Sequence, residues 1–120
     1  MRETDETPDD LLPLPAATLH ILLAVADGDR HGYAIMQEVA GRSGGQLQLS
    51  AGTLYRSIQR MLEHGLIVEP RTRPVPDKDD ERRRYYRITP FGRRVAEAEM
   101  RRLTELVRIG RAVGLRPEKA

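Results

Sequence analysis

Residues 50–65 read SAGTLYRSIQRMLEHG, a pattern that predicts one amphipathic helix with a defined start and a defined end. Ser50 is a favoured N-cap residue, because its hydroxyl can accept hydrogen bonds from the free N–H groups of the first turn. Gly65 stands where helices commonly end in a left-handed glycine. At about 100° per residue, one side of this helix carries the apolar residues Leu54, Ile58, Met61 and Leu62.

The opposite side of the same helix carries donors that suit the major groove of DNA. Arginine can bind guanine through two hydrogen bonds, glutamine can pair with adenine, and threonine can contact a base or a thymine methyl group. We expect Thr53 and Arg56 to contact bases, since recognition helices usually insert their N-terminal residues. Tyr55 and Arg60 are expected to hold phosphates, although Tyr55 could instead pack under a neighbouring wing. The candidates on this helix are Ser50, Thr53, Tyr55, Arg56, Gln59 and Arg60.

An ordinary solvated surface helix has a similar pattern, so the elements before residues 50–65 matter. Apolar residues at helical spacing predict a first helix over about residues 15–26 and a second over about residues 31–40. Residues 46–49 alternate between polar and apolar, which predicts a very short strand. Together they give two helices and a strand ahead of the candidate recognition helix.

Two strand candidates follow that helix. Residues 66–69 and 84–88 are rich in β-branched and aromatic strand formers, and a polar loop between them predicts a β-hairpin. Tyr85 and Tyr86 alternate along the second strand, so one should be buried and the other should lie on the surface. Three helices followed by a hairpin is the order of a winged helix-turn-helix. We therefore predict a mainly α (α+β) fold with a winged helix-turn-helix domain over residues 15–89.

A long final helix is predicted over residues 90–114, followed by a tail over residues 115–120. Thr89 and Pro90 form a strong helix start, and Gly114 is the expected stop. The helix carries more apolar surface than one small domain can easily cover. We expect it to pair with a second copy, although folding back on its own core is the alternative. The expected interface residues on it are Val95, Met100, Leu103, Leu106, Val107, Gly110 and Val113.

The composition limits which classes of protein this chain can belong to. The 120 residues suit one domain, and the absence of cysteine excludes disulfides, thiolate zinc sites and cysteine nucleophiles. The net charge is only +2, yet residues 50–94 hold eleven Lys and Arg against six acids, as nucleic-acid binding favours. Residues 1–14 begin with an acidic run and are expected to be disordered. An acidic start does not fit a signal peptide, so we expect a cytoplasmic protein without membrane contact.

Four motifs resemble the PadR family of bacterial transcriptional regulators. HGYAI at residues 31–35 is similar to the start of the family's second helix, and SAGTLY at residues 50–55 resembles the opening of its recognition helix. LEHGLI at residues 62–67 resembles its entry to the wing, and RYYRIT at residues 84–89 with Gly92 resembles the returning strand and next helix. The motifs occur in the family's order and spacing, and the resemblance covers most of the chain.

The resemblance implies a dimeric winged-helix repressor that binds double-stranded DNA at a roughly palindromic operator and is released by a small-molecule effector. Dimerisation would use the long final helix with help from the first helix, where Leu19 and Leu22 are the candidates. A single long final helix resembles the short members of the family. Some of these bind flat aromatic drugs through tryptophan in the dimer pore, and this chain has no tryptophan.

The predicted wing differs from a simple DNA-binding wing in its charge. Residues 77–81 at its tip read DKDDE, which is net acidic, and DNA phosphates would repel it. We expect wing contacts from Arg82, Arg83 and Arg84 at the base, with Lys78 as a weaker candidate. Tyr33 is expected to be structural in the second helix, although its hydroxyl could reach a phosphate.

Other classes of function are less consistent with the sequence. His20, His31 and His64 form no recognised metal or nucleophile motif with the acids, so we expect no enzyme activity, catalytic residue, metal or cofactor. A winged helix could also serve protein contact, but such a face would more often expose large apolar residues. Control of DNA binding by a partner protein, without a small-molecule effector, stays open.

Overall fold

The computed structural model describes residues 6–71 and 83–117. Within these residues, one short 3-10 helix, four α-helices and three short strands make up the fold. In chain order they are the 3-10 helix (Pro8–Leu11), α1 (Ala16–Val25), β1 (Arg30–His31), α2 (Gly32–Arg42), α3 (Ala51–Glu63), β2 (Ile67–Val68), β3 (Tyr85–Ile88) and α4 (Pro90–Ala112). This order confirms the predicted α+β winged helix-turn-helix.

The boundaries of the recognition helix and the final helix follow from their capping residues. The Ser50 hydroxyl accepts a hydrogen bond from the Thr53 N–H at 3.1 Å, which marks the start of α3. Gly65 ends the helix in the left-handed region at φ 73°. The Thr89 hydroxyl accepts from the Gly92 N–H at 2.9 Å and starts α4 in the same way. Local sequence therefore fixed both helices as predicted.

The sheet contains one more strand than the predicted hairpin. β3 lies in the centre and pairs antiparallel with β2 on one side and β1 on the other. Ile67 lies opposite Ile88, and Arg30 lies opposite Tyr86. Tyr86 is buried, as the alternation predicted for one of the two rings, whereas Tyr85 is half-buried and does not lie on the surface as expected. The added strand attaches the start of α2 to the base of the wing.

The predicted strand at residues 46–49 is wrong, because Gln46 lies in a bend and residues 47–49 form a link that belongs to no helix or strand. The edge of β3 is instead occupied by β1. Leu49 is buried and Leu47 is partly buried against the core. The alternation of polar and apolar residues thus reflects one-sided packing of the link and not strand pairing.

The expectation that residues 1–14 are disordered is wrong for their described part. Residues 6–15, which we call the N-terminal strap, contain the 3-10 helix and pack along α4. The Leu14 N–H donates to the carboxylate of Glu99 at 3.1 Å, and Leu11, Leu12 and Leu14 pack against the core. The anchor lies 85 residues away in sequence, so local composition does not reveal it. Residues 1–5 lie outside the described part.

The core is aliphatic and draws on every helix. Leu54, Ile58 and Met61 of α3 are buried in it. Leu22 of α1 and Val95 of α4 have no exposed surface, because their own chain encloses them. The sequence placed both residues at the dimer interface, and the structure corrects this: they belong to the core.

Candidate nucleic-acid interface

The recognition helix α3 presents the two unlike faces that its sequence predicts. Leu54 and Ile58 fix it to the core, and Thr53 is half-buried at its first turn. Arg56 and Arg60 form no ion pair with another residue in the described ranges. Both guanidinium groups can therefore pair with an anionic partner. The exposed polar and aromatic residues of this face are Ser50, Tyr55, Arg56, Gln59 and Arg60.

The first turn of α3 is ordered by hydrogen bonds between side chains. The Ser50 hydroxyl caps the helix and also donates to the Thr53 hydroxyl oxygen at 3.2 Å. Arg56 donates to that same oxygen at 3.4 Å. Ser50 therefore has a structural role as the helix cap, and Thr53 orients Arg56. At the other end of the helix, Gln59 donates to Glu63 at 3.4 Å.

A pocket of about 330 Å³ lies beside α3, where the start of α2 meets the base of the wing. The N-terminus of α2 carries a partial positive charge, and the guanidinium groups of Arg83 and Arg84 line the same pocket. Such a pocket favours an anion. Its lining consists of His31, Gly32, Tyr33, Tyr55, Arg83, Arg84 and Tyr86.

Tyr55 and Tyr33 shape this pocket. Tyr55 is half-exposed, and its hydroxyl lies so close to Gly32 that a Cβ at that position would collide with it. The glycine thus allows the ring of Tyr55 to lie over the start of α2. Tyr33 is 57% exposed, so its ring projects to solvent and is not buried as a structural residue. Burial raises the pKa of the Tyr86 phenol at the pocket floor, which keeps it neutral.

His31 links the start of α2 to the wing, a role that the sequence analysis missed. Its Nδ1 atom accepts from the Ala34 N–H at 3.2 Å and caps α2, while its Nε2 atom lies 2.8 Å from Arg83 Nη1. A neutral imidazole has one acceptor nitrogen. It can therefore accept a hydrogen bond from the Ala34 N–H or from Arg83, but not from both at once. The ring also meets Tyr85 edge-on at 5.4 Å between centroids. The position of His31 directly before a helix start is the local signal for this capping role.

The arginines of the wing base differ in how much of their charge is already paired. Arg84 is exposed and lies 3.7 Å from the Glu69 carboxylate, a loose contact. Arg87 instead donates two hydrogen bonds to Asp29 at 3.0 and 2.8 Å, and Asp29 raises the pKa of Arg87. Arg87 therefore ties β3 to the turn before β1. Lys78, Arg82 and the acidic tip at residues 77–81 lie outside the described residues.

The final helix α4 leaves the core after Glu99 and does not fold back on it. Its C-terminal half and the residues directly after it expose an apolar row, with Leu106 of the helix 50% exposed and Val113, the residue after the helix, 71% exposed. Gly110 is half-buried beside Leu115, and Leu19 of α1 is also half-buried. Ile109 and Leu115 add exposed apolar surface that the sequence analysis did not include. The exposed row consists of Met100, Leu103, Leu106, Val107, Ile109, Val113 and Leu115.

None of the helices in the described residues combines the length and apolar character needed to cross a membrane. In the same part of the chain, no group of three or more His, Asp or Glu residues is placed to hold a metal ion.

Comparisons with known proteins agree with this architecture. Residues 21–98 match the model of the transcriptional regulator PadR-like family. The chain is 41% identical over 93 residues to transcriptional regulator Rv3488 of Mycobacterium tuberculosis, a match that covers 78% of this chain and 80% of that protein.

Solved structures of transcriptional regulators have the same fold. A regulator from Clostridium thermocellum is 25% identical, with a TM-score of 0.65, and the match covers 83% of this chain and 90% of the other. A PadR family regulator from Clostridium difficile gives a TM-score of 0.68 at 21% identity, over 82% and 98% of the two chains. The family model and the relative from Mycobacterium tuberculosis establish that this chain belongs to the PadR-like family of transcriptional regulators and is a DNA-binding regulator.

Proposed function

We propose that this chain is a homodimeric repressor that binds a palindromic operator and is released from it by a small-molecule effector. The observation that carries the proposal is the polar face of α3, where Arg56 and Arg60 are exposed and unpaired within the described residues. A helix held by its apolar back can enter the major groove with such a face outward.

Within this proposal, the residues divide into base contacts and phosphate contacts. Thr53 and Arg56 lie at the N-terminal half of α3, the part that usually reaches base edges. Phosphates would be held by the anion-favouring pocket and by Arg60, which positions the protein without specifying sequence. Ser50 and Gln59 are lesser candidates, because both are already engaged within α3. The proposed phosphate contacts are Tyr33, Tyr55, Arg60, Arg83 and Arg84, with Lys78 and Arg82 of the wing added from the sequence.

The dimer is proposed from the exposed apolar row on α4. Side chains such as Leu106 and Val113 lie in solvent in the single chain, and an equivalent row on a second copy would cover them. A twofold pairing presents two α3 helices to DNA, which favours a palindromic operator with half-sites about 34–36 Å apart. The proposed interface residues are Leu19, Met100, Leu103, Leu106, Val107, Gly110 and Val113.

Fluorescence anisotropy with DNA from upstream of the protein's own gene tests the proposal. A scrambled duplex of equal length is the control, and both are titrated at several salt concentrations. Tight binding to the upstream duplex alone, with affinity falling steeply as salt rises, is the expected result. Equal weak binding to both duplexes would contradict an operator at this position. No binding at low salt would favour a winged helix that contacts protein.

A further inference from the structure

A second cavity, of about 200 Å³, lies between the N-terminal strap and the C-terminal half of the recognition helix. Its apolar wall comes from Leu11 and Leu14 of the strap, Met61 of α3 and Leu66 after that helix, and Thr18 of α1 adds a hydroxyl group. Among the described residues that line it, the one ring besides proline is the imidazole of His64. The residues that matter for its chemistry are Leu11, Leu14, Arg60, Met61, His64 and Leu66. This cavity is separate from the anion-favouring pocket at the wing base, and the DNA-binding role does not account for it.

The polar edge of the cavity is formed by Arg60 and His64. Arg60 lies in the last turn of α3, and His64 caps the helix four residues later, so the two side chains lie on the same side of the helix end. Arg60 has no hydrogen bond or ion pair with another described residue. His64 Nδ1 lies 3.5 Å from a carboxylate oxygen of Glu6 in the strap, at the limit of a hydrogen bond, and both groups are exposed. The strap thus already places one carboxylate, loosely held, at this edge.

We propose that the cavity binds a short aliphatic carboxylate. The chain of the ligand would lie among Leu11, Leu14 and Met61, which offer apolar contact without a surface for ring stacking. Its carboxylate would take the donors of Arg60 and His64 and displace Glu6. The cavity holds about six or seven water volumes of roughly 30 Å³ each, which limits the ligand to a few carbon atoms beyond its carboxylate.

The position of the cavity links the ligand to DNA binding, a consequence that rests on the proposed function. Arg60 is also a proposed phosphate contact, and one guanidinium cannot serve a ligand carboxylate and a DNA phosphate equally well. The strap is joined to α4 through the bond between Leu14 and Glu99. A ligand in the cavity therefore engages Arg60 of the recognition helix. It also contacts the strap, which is bonded to Glu99 of the proposed dimer helix.

Hexanoate titrated into the full chain without DNA tests the site, with 1-hexanol as the neutral match. Backbone amide NMR shifts should saturate at Leu14, Met61 and His64, and hexanol should bind at least about tenfold more weakly. Arg60→Leu should weaken hexanoate binding about tenfold or more, whereas Glu6→Gln should strengthen it. Arg108→Leu, which removes an exposed arginine far from the cavity, is the matched control and should leave the affinity unchanged.

Two results would overturn the proposal. One is the absence of saturable hexanoate shifts at the cavity, and the other is equal affinity for hexanoate and hexanol. Because this titration uses no DNA, it shows whether the cavity binds a carboxylate even if the protein binds no operator. A separate anisotropy measurement with the wild type tests the link to DNA: hexanoate, and not 1-hexanol, should release the operator. Operator binding that is unchanged at saturating hexanoate would contradict that link.

Discussion

At the scale of single residues, the polar face of α3 is a set of linked side chains and not a row of independent contacts. Thr53 is half-buried and receives hydrogen bonds from Ser50 and Arg56. Arg56 is thereby held near the start of the helix with its charge unpaired. Arginine in that position is the commonest side chain to contact guanine, which makes it the clearest candidate for specificity.

Replacing Arg56 with Ala should cost about 1–3 kcal/mol of binding free energy on the operator and much less on random DNA, if Arg56 contacts a base. Anisotropy titrations on the two duplexes measure the difference. Arg108→Ala, which removes an exposed arginine from α4, is the control and should change neither affinity. An equal loss on both duplexes would make Arg56 a phosphate contact.

At the scale of elements, glycine is required at some helix starts because another part of the chain lies too close for a Cβ atom. A Cβ at Gly92 in the first turn of α4 would collide with the backbone carbonyl oxygen of Leu66. A backbone atom cannot move aside as the end of a side chain can, so α4 and the chain entering β2 would separate. At Gly41, near the end of α2, the same added atom would meet no other atom of the described residues within 4 Å.

These two glycines give a matched prediction for stability. Gly92→Ala should destabilise the fold by about 1–3 kcal/mol through overpacking. Gly41→Ala should stabilise it by up to about 1 kcal/mol, because alanine loses less backbone entropy in a helix. Urea unfolding followed by circular dichroism measures both changes. A neutral effect of Gly92→Ala would contradict the tight contact between α4 and Leu66.

The strap is held to α4 by a buried carboxylate, which predicts a dependence of stability on pH. Arg102 donates to Glu99 at 2.6 and 2.9 Å and holds the pKa of that carboxyl below its usual value of 4.5, with help from the Leu14 N–H. The stabilisation is therefore complete above about pH 4.5 and is lost as the pH falls through the lower folded-state pKa.

Glu99→Gln should accordingly lower the free energy of unfolding at pH 7 by about 1–3 kcal/mol, since a charged hydrogen-bond partner is lost from a buried site. The difference between wild type and variant should shrink as the pH is lowered below 4.5. Thermal unfolding across this range provides the measurement. A constant difference at every pH would show that the charge of Glu99 is not what holds the strap.

At the scale of the whole molecule, the described residues extend 55 × 42 × 23 Å, and most residues of α4 after Glu99 are exposed. An apolar row of this size that is exposed to water is typical of an interaction site. The row is continuous with the core through Val95 and Ala96, so a second copy would extend the core into a shared interface.

Leu106→Glu should convert the proposed dimer into a monomer, because a carboxylate placed in an apolar interface loses its hydration without gaining a partner. Sedimentation equilibrium gives the mass directly. Ala112→Glu adds the same charge to the same helix, on the side away from the apolar row, and should leave the mass unchanged. If Leu106→Glu also keeps the wild-type mass, α4 is not the dimer interface.

The sequence by itself determined the features that depend on neighbours along the chain. Caps such as Ser50 and Thr89, the left-handed Gly65 and the apolar spacing of α3 are local, so the helix boundaries and the winged-helix order could be predicted. The alternation of Tyr85 and Tyr86 is local too, and it correctly predicted that one of the two rings is buried.

Only the tertiary structure decided what depends on residues far apart. The bond from Leu14 to Glu99 orders a strap whose acidic composition predicted disorder. β1 formed because β3 offered a free edge, while residues 46–49 had the alternation without a partner strand. Leu22 and Val95 could not be told from interface residues by spacing, since a core and a dimer interface need the same apolar side chains. Which apolar face is buried within one chain is set by packing, and packing is not a local property.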